Sequence, residues 1–146
     1  MSLLKLVPPD HPALWRKALK VTFAPKEVYP HLPEMRDILR ANRALGLSAP
    51  QVGLRLRFFI RDTDSMFWLA INPTWKPVEG SPKETLVEGC LSNPGFAAEV
   101  PRWLKIATFF ELKDGRKMHE PLEGVAARVW QHECDHLDGI NIFPKP

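Results

Sequence analysis

Gly124-Val125-Ala126-Ala127-Arg128-Val129-Trp130-Gln131-His132-Glu133-Cys134-Asp135-His136 is the stretch on which both the fold and the chemistry turn. Val125, Val129, His132 and His136 recur at i, i+4, i+7 and i+11, one face of an α-helix, and Gly139 stands where a left-handed cap would end it. The histidines are therefore expected on the buried side of that helix. Two imidazoles four residues apart stand one above the other, where a single metal ion can join them, and Glu133 beside them can reach a water at the metal. An imidazole on a core face is costly unless its ring nitrogens find partners, and a metal with outer acceptors supplies them.

A catalytic site of this type needs a third protein ligand and an open position. The extended pattern H-E-x-x-H-x-x-G-x-x-H is followed as far as Gly139 and fails at Ile142, and residues 137–146 contain no glutamate, histidine or cysteine. Cys134 lies two positions from each histidine, about 200° around the helix axis, and reads as a small packed thiol. His11, His31 and His119 sit in polar or proline-rich stretches that suit solvated histidines. Cys90 is the strongest remaining candidate, with a buried structural cysteine as its alternative. It lies in Glu88-Gly89-Cys90-Leu91-Ser92, among turn-forming residues and followed by Asn93-Pro94-Gly95.

Working outward, Pro33 suits a first helical turn, and Met35, Ile38, Leu39 and Leu45 fall near one face before Gly46, so a helix is predicted over 33–45. Leu56–Arg61 and Phe67–Ile71 read as two strands of a hairpin about the turn-forming cluster Asp62-Thr63-Asp64-Ser65. From Leu104 to Leu112 the even positions Leu104, Ile106, Thr108, Phe110 and Leu112 can line one sheet face. Asp114-Gly115 then turns the chain into a returning strand over 116–119. Strands first and a long helix last describe an α+β domain, with mainly antiparallel sheets packed around the helix that carries the H-E-x-x-H motif.

The 146 residues suit one domain, 1–146, with no repeat or linker, and the fifteen prolines are scattered through it. The net charge of +3 arises from 20 basic and 17 acidic side chains without a block of like charge, which argues against a specific nucleic-acid footprint. Two cysteines are too few for a disulfide framework and suit a reducing, cytoplasmic setting. The apolar start, residues 1–7, is too short for a signal or membrane segment, so no membrane partner is expected.

Three separated motifs, in order, resemble those of the peptide deformylases. They are Gly46-Leu47-Ser48-Ala49-Pro50-Gln51, then Glu88-Gly89-Cys90-Leu91-Ser92, then Gln131-His132-Glu133-Cys134-Asp135-His136. Pro9-Asp10-His11-Pro12-Ala13-Leu14 and Val100-Pro101-Arg102 extend the likeness over nearly the whole chain. The first motif departs from the family pattern, with Ala44 where glycine is usual and Ser48 where alanine is usual, and the chain resembles the short members that lack a C-terminal helical extension.

The resemblance selects Cys90, His132 and His136 as metal ligands. It implies hydrolysis of the N-formyl group from the initiator methionine of new polypeptides, releasing formate. Glu133 then acts as the proton shuttle, and the Gln51 side-chain amide and the Leu91 backbone N–H donate to the developing oxyanion. Gly46, Leu47, Ser48 and Gly89 are expected to contact the substrate, the 46–48 strand edge by extended pairing and the glycines by admitting backbone closely. Arg102 can pair with Glu88 to hold the second motif, or it can be a solvated surface arginine.

One divalent metal is implied, Fe2+ in the cell, with Zn2+, Ni2+ or Co2+ able to occupy two imidazoles and a thiolate in isolated protein. The expected partners are N-formylmethionyl polypeptides, met by a monomer in transient proximity to the ribosome. Two other classes compete: an H-E-x-x-H metallopeptidase acting on internal bonds, and a non-catalytic metal-stabilised binding module.

Overall fold

The computed structural model describes residues 3–63 and 66–146. Four α-helices are formed among them: α1 (Pro12–Trp15), α2 (Ala24–Glu27), α3 (Leu32–Ala41) and α4 (Gly124–Leu137). The seven strands are β1 (Gly46–Ser48), β2 (Phe58–Thr63), β3 (Met66–Pro77), β4 (Lys83–Gly89), β5 (Ala97–Trp103), β6 (Lys105–Glu111) and β7 (Lys117–Glu123). All pairings between them are antiparallel: a five-stranded sheet in the order β1-β2-β3-β6-β7, and a separate β4-β5 ribbon. This is the expected α+β architecture.

β2 shows why the sheet is buried on both faces. Phe58 and Ile60 point into one apolar cluster with Met35 and Leu39 of α3, whereas Phe59, one residue out of phase, enters another with Ala127, Trp130 and Leu137 of α4. Alternate side chains of a strand face opposite sides, so one strand ties both cores together. Phe59 and Phe110 each meet the Trp130 ring edge-on, at centroid distances of 4.9 and 5.3 Å. α4 is thereby seated on the sheet.

Several boundaries differ from the sequence reading. The helix predicted over 33–45 ends at Ala41: Arg43 takes a left-handed φ of 51° and Ala44 N–H bonds back to Leu39 O, which releases Leu45 toward β1. Asp62 and Thr63 extend β2 instead of turning, and Asp64 and Ser65 lie outside the described residues. β3 runs past Ile71 to Pro77 because Asn72, at φ 50°, shifts the register and lets one strand pair first with β2 and then with β6. Its amide is held to Val21 and Glu111.

The second hairpin follows the reading closely, with Ile106, Thr108 and Phe110 inward and Gly115 at φ 84° in the turn, although β7 continues to Glu123. β1 matches the 46–48 strand edge that the resemblance implied, whereas β4, β5, α1 and α2 were not foreseen. Most of β4 is solvent-exposed, so it carries no apolar alternation to read. In consequence Glu88 and Gly89 close a strand, and only after them does the chain turn.

Candidate metal centre

β4 delivers Cys90 at its end, and α4 delivers His132 and His136 one turn apart. The ligand atoms of these three residues all lie within 4.8 Å of one another. Cys90 Sγ stands 3.4 Å from His136 Nε2, and the imidazole centroids are 4.9 Å apart at 73°. Helical spacing brings the two rings together, but only the packing of the β4-β5 ribbon against α4 adds the thiol.

Cys134 faces the apolar cluster around Trp130 and Leu137, where burial pushes its thiol pKa up. It is the packed cysteine the helical geometry requires. His119 is exposed, and His11 accepts a hydrogen bond from Ala13 N–H at the start of α1, so neither joins the cluster.

Glu88 sits behind the ligands and accepts four hydrogen bonds. Arg102 grips it with two bonds of 2.9 Å, Arg128 adds one of 2.5 Å, and His132 Nδ1 donates to Oε1 at 2.9 Å. Arg102 also reaches Asp135 at 2.5 Å, so the arginine is buried and paired and is no surface group. An ionised carboxylate only accepts, which places the His132 proton on Nδ1 and leaves Nε2 free to ligate a metal. Burial alone would raise the Glu88 pKa, but the hydrogen bonds from His132 and Arg102 outweigh it and hold the carboxyl well below the ordinary range.

The same bonds act on the histidines. Burial disfavours charge on His132, yet its bonds to Cys90 and Glu88 carry its pKa up to about 10. Burial, then the charge of His132, drives His136 well below its ordinary value, while Asn141 faces the ring and opposes this. A metal ion would replace the His132 proton, since a ligating imidazole must be neutral.

Glu133 is the group that does not fit a merely structural cluster. It is 4 % exposed, its Oε1 has no hydrogen-bond partner, and burial raises its pKa to about 7. Gly46 makes the room for it: a Cβ on that glycine would meet Glu133 Oε2 at 2.6 Å and Val129 Cγ1 at 2.9 Å. Gly89 is different, because a Cβ there would make only an ordinary contact of 3.8 Å with Phe96 O.

Gln51, buried in the short 3-10 turn Ala49–Val52, directs its amide nitrogen toward Ser92 Oγ at 3.0 Å and Cys90 Sγ at 3.6 Å. A cavity of about 540 Å³ opens over this group, bordered by Gly46, Gln51, Gly89, Leu91 and Glu133 and by the apolar Val129. Val125 was expected to be buried with the histidines. It is instead 59 % exposed at the cavity's edge, because α4 has only begun to meet the sheet there.

The free edge of β1 borders the same cavity. Leu45 O accepts from Asp62 N–H, so by the alternation of an antiparallel ladder Leu47 also turns its polar groups to β2, while those of Gly46 aim out of the sheet. Leu47 has a fully buried side chain as well as a backbone turned to β2, and Ser48 is buried with its N–H given to Gln51 Oε1, so of these two only the Ser48 carbonyl is left for an extended ligand.

The profile of the polypeptide deformylase family matches residues 3–145. This chain belongs to that family. A peptide deformylase of Symbiobacterium thermophilum is 36 % identical over 143 residues, which is 96 % of this chain and 65 % of the relative's length. The crystal structure of peptide deformylase from Thermotoga maritima superposes with a TM-score of 0.90 at 33 % identity, covering 97 % of this chain and 96 % of that one. A probable peptide deformylase from Synechococcus phage S-SSM7 gives a TM-score of 0.85 at 35 % identity, over 94 % of this chain and 96 % of the other.

Within this deformylase fold, sequence reasoning missed three contributors. Arg128 gives Glu88 its third arginine hydrogen bond and lies one turn before His132 on the same helix face, a spacing that could have revealed it. Ser92 is the last residue of the second motif and carries a visible hydroxyl. Asn141 follows α4 in a segment with no periodicity, and nothing in the sequence points to its place beside His136.

Proposed function

We propose that this chain is a metal-dependent hydrolase that removes the N-formyl group from the N-terminal methionine of newly synthesised polypeptides and releases formate. The observation that carries the reading is a convergent Cys90, His132 and His136 set beside a buried Glu133 carboxylate, whose Oε1 has no hydrogen-bond partner, in the wall of a cavity. The donor set of one thiolate and two imidazoles fits a tetrahedral metal with one position left over. When bound, the metal acts as a Lewis acid and lowers the pKa of water from 15.7 to about 7.

The remaining steps belong to the protein. Glu133, with a pKa near the working pH, takes a proton from the attacking water and returns it to the leaving amine. The Gln51 amide, turned toward Cys90, donates to the oxyanion together with the Leu91 backbone N–H at the cavity wall. The substrate runs in extended form along the outward-facing edge of Gly46, with Gly89 on the opposite wall. Its methionine side chain lies against the apolar Val125 and Val129.

Two imidazoles and a thiolate suit iron, zinc, nickel or cobalt alike, and iron is the metal we assign in the cell on the family resemblance, with the others accepted by the isolated protein. All of these groups lie in one chain of one domain, so a monomer suffices, working near the ribosome where formylated chains emerge. No helix among the described residues is long and apolar enough to cross a membrane.

Metal analysis combined with formate release from a formyl-methionyl peptide tests the reading, with Glu133→Ala as control. Formate must be released from the formylated peptide, the unformylated peptide must stay intact, and the control must retain metal while losing turnover. Cleavage of the unformylated peptide would favour a metallopeptidase. Metal bound without turnover would favour a binding module.

A further inference from the structure

Gln51 is the polar side chain of the cavity whose orientation matters most, because its two ends have opposite hydrogen-bonding character. Only the NH2 end can donate to an oxyanion, and a flipped amide would present a repelling oxygen. What sets the orientation is therefore a chemical question about its neighbours. At the NH2 end stands Ser92 Oγ, which accepts at 3.0 Å but, being a hydroxyl, could equally donate to a flipped amide. Ser92 alone does not choose.

The other end does choose, and Ser48 supplies both of its contacts. Gln51 Oε1 accepts from Ser48 N–H at 2.9 Å and from the Ser48 hydroxyl at 3.0 Å. Both residues are buried, at 0 % and 1 % exposure, and they occupy the N-cap and third positions of the Ala49–Val52 turn as a capping box. A backbone N–H can only donate, so oxygen must face it, and the hydroxyl adds a second donor to the same atom. With Oε1 held twice and one N–H given to Ser92, the second N–H of Gln51 is left pointing toward Cys90 Sγ at 3.6 Å.

We infer that the Ser48 side chain is a positioning residue for the reaction, whose hydroxyl holds the Gln51 amide with its NH2 group toward the metal ligands. The inference rests on the reading of Gln51 as an oxyanion donor. It assigns to Ser48 a side-chain role separate from any backbone contact with substrate. Because the Ser48 N–H still donates when the hydroxyl is gone, the amide is loosened and not released.

A double-mutant cycle tests this with the metal-loaded enzyme and a formyl-methionyl peptide. Ser48→Ala should lower kcat about two- to tenfold, the worth of one hydrogen bond, and leave KM and bound metal unchanged. In the Gln51→Ala background the same substitution should have no further effect, since there is no amide left to orient. An unchanged kcat in Ser48→Ala, or an equal loss in both backgrounds, would overturn the positioning role. If Gln51→Ala itself keeps full activity, the underlying reading of Gln51 fails, which is a separate result. Ser48→Cys, close in volume, repeats the cycle should the alanine variant lose metal or melt early.

Discussion

Gly46 and Glu133 compete for one small space: a Cβ on Gly46 would stand 2.6 Å from Glu133 Oε2. The glycine that opens the first motif is thus required by a carboxylate 87 positions later, and only secondarily by any ligand. Its backbone is not in the left-handed region, so alanine is conformationally allowed there and the whole penalty is steric. Gly46→Ala should fold and keep its metal while losing about 10²-fold in formate release, the lower end of what a placed acid–base group contributes. A normal rate in a metal-replete variant would show that Glu133 has room to yield.

The two cysteines separate by function. Cys134 packs among apolar side chains, so Cys134→Ala should retain metal and turnover and cost about 1 kcal/mol in a urea melt. Cys90→Ala removes a ligand and should lose both metal and activity. Metal content of the two purified variants is the check, and loss of metal from Cys134→Ala would move that residue into the centre.

Removal of the metal should act on stability as well as on rate. A ligand that binds only the folded state stabilises it, by about 2.7 kcal/mol when free metal is 100 times its Kd. Chelator treatment is therefore expected to lower Tm and abolish formate release, and added Fe2+, Ni2+ or Co2+ should restore both. Unchanged melting after verified metal loss would argue against a centre coupled to folding.

Arg102 and Glu88 form a buried pair, and truncating the arginine leaves the Glu88 carboxylate to Arg128 and His132 alone. Arg102→Ala is expected to destabilise by about 3 kcal/mol, the lower end for a broken buried pair because Arg128 stays on Glu88, and by loosening the carboxylate that orients His132 to weaken metal affinity by about 10-fold. Isothermal metal titration beside chemical denaturation resolves the two effects. A stable variant with native affinity would return Arg102 to a surface role.

Acid stability follows from the same carboxylate. The folded-state pKa of Glu88 lies below its ordinary 4.5, so its contribution is fully present above about pH 5 and drains away as pH falls toward the folded value. In metal-free protein the urea midpoint should drop between pH 6 and 3 more steeply for wild type than for Glu88→Gln. Parallel slopes would assign the acid transition to other groups.

Much of this was visible in residue order. The even positions of β6 face inward as read, because a strand buried on one face must alternate. The β4-β5 ribbon was invisible for the complementary reason: its side chains are mostly exposed, and its stability comes from pairing, which leaves no periodic mark. Val125 kept helical phase with the histidines yet emerged at the cavity edge, since periodicity assigns a face and cannot say where along a helix that face stops being covered.

By itself the sequence determined that His132 and His136 share a helix face with Glu133 beside them, because 3.6 residues per turn is local geometry. It also determined that Cys134 faces away. The arrival of Cys90 from 42 residues upstream of His132, the gathering of Arg102 and Arg128 on Glu88, and the meeting of Gln51 with Ser92 were decided by tertiary structure. These contacts join separate elements, and which elements meet depends on how the two faces of β2 are buried against α3 and α4, a property of the packed chain as a whole.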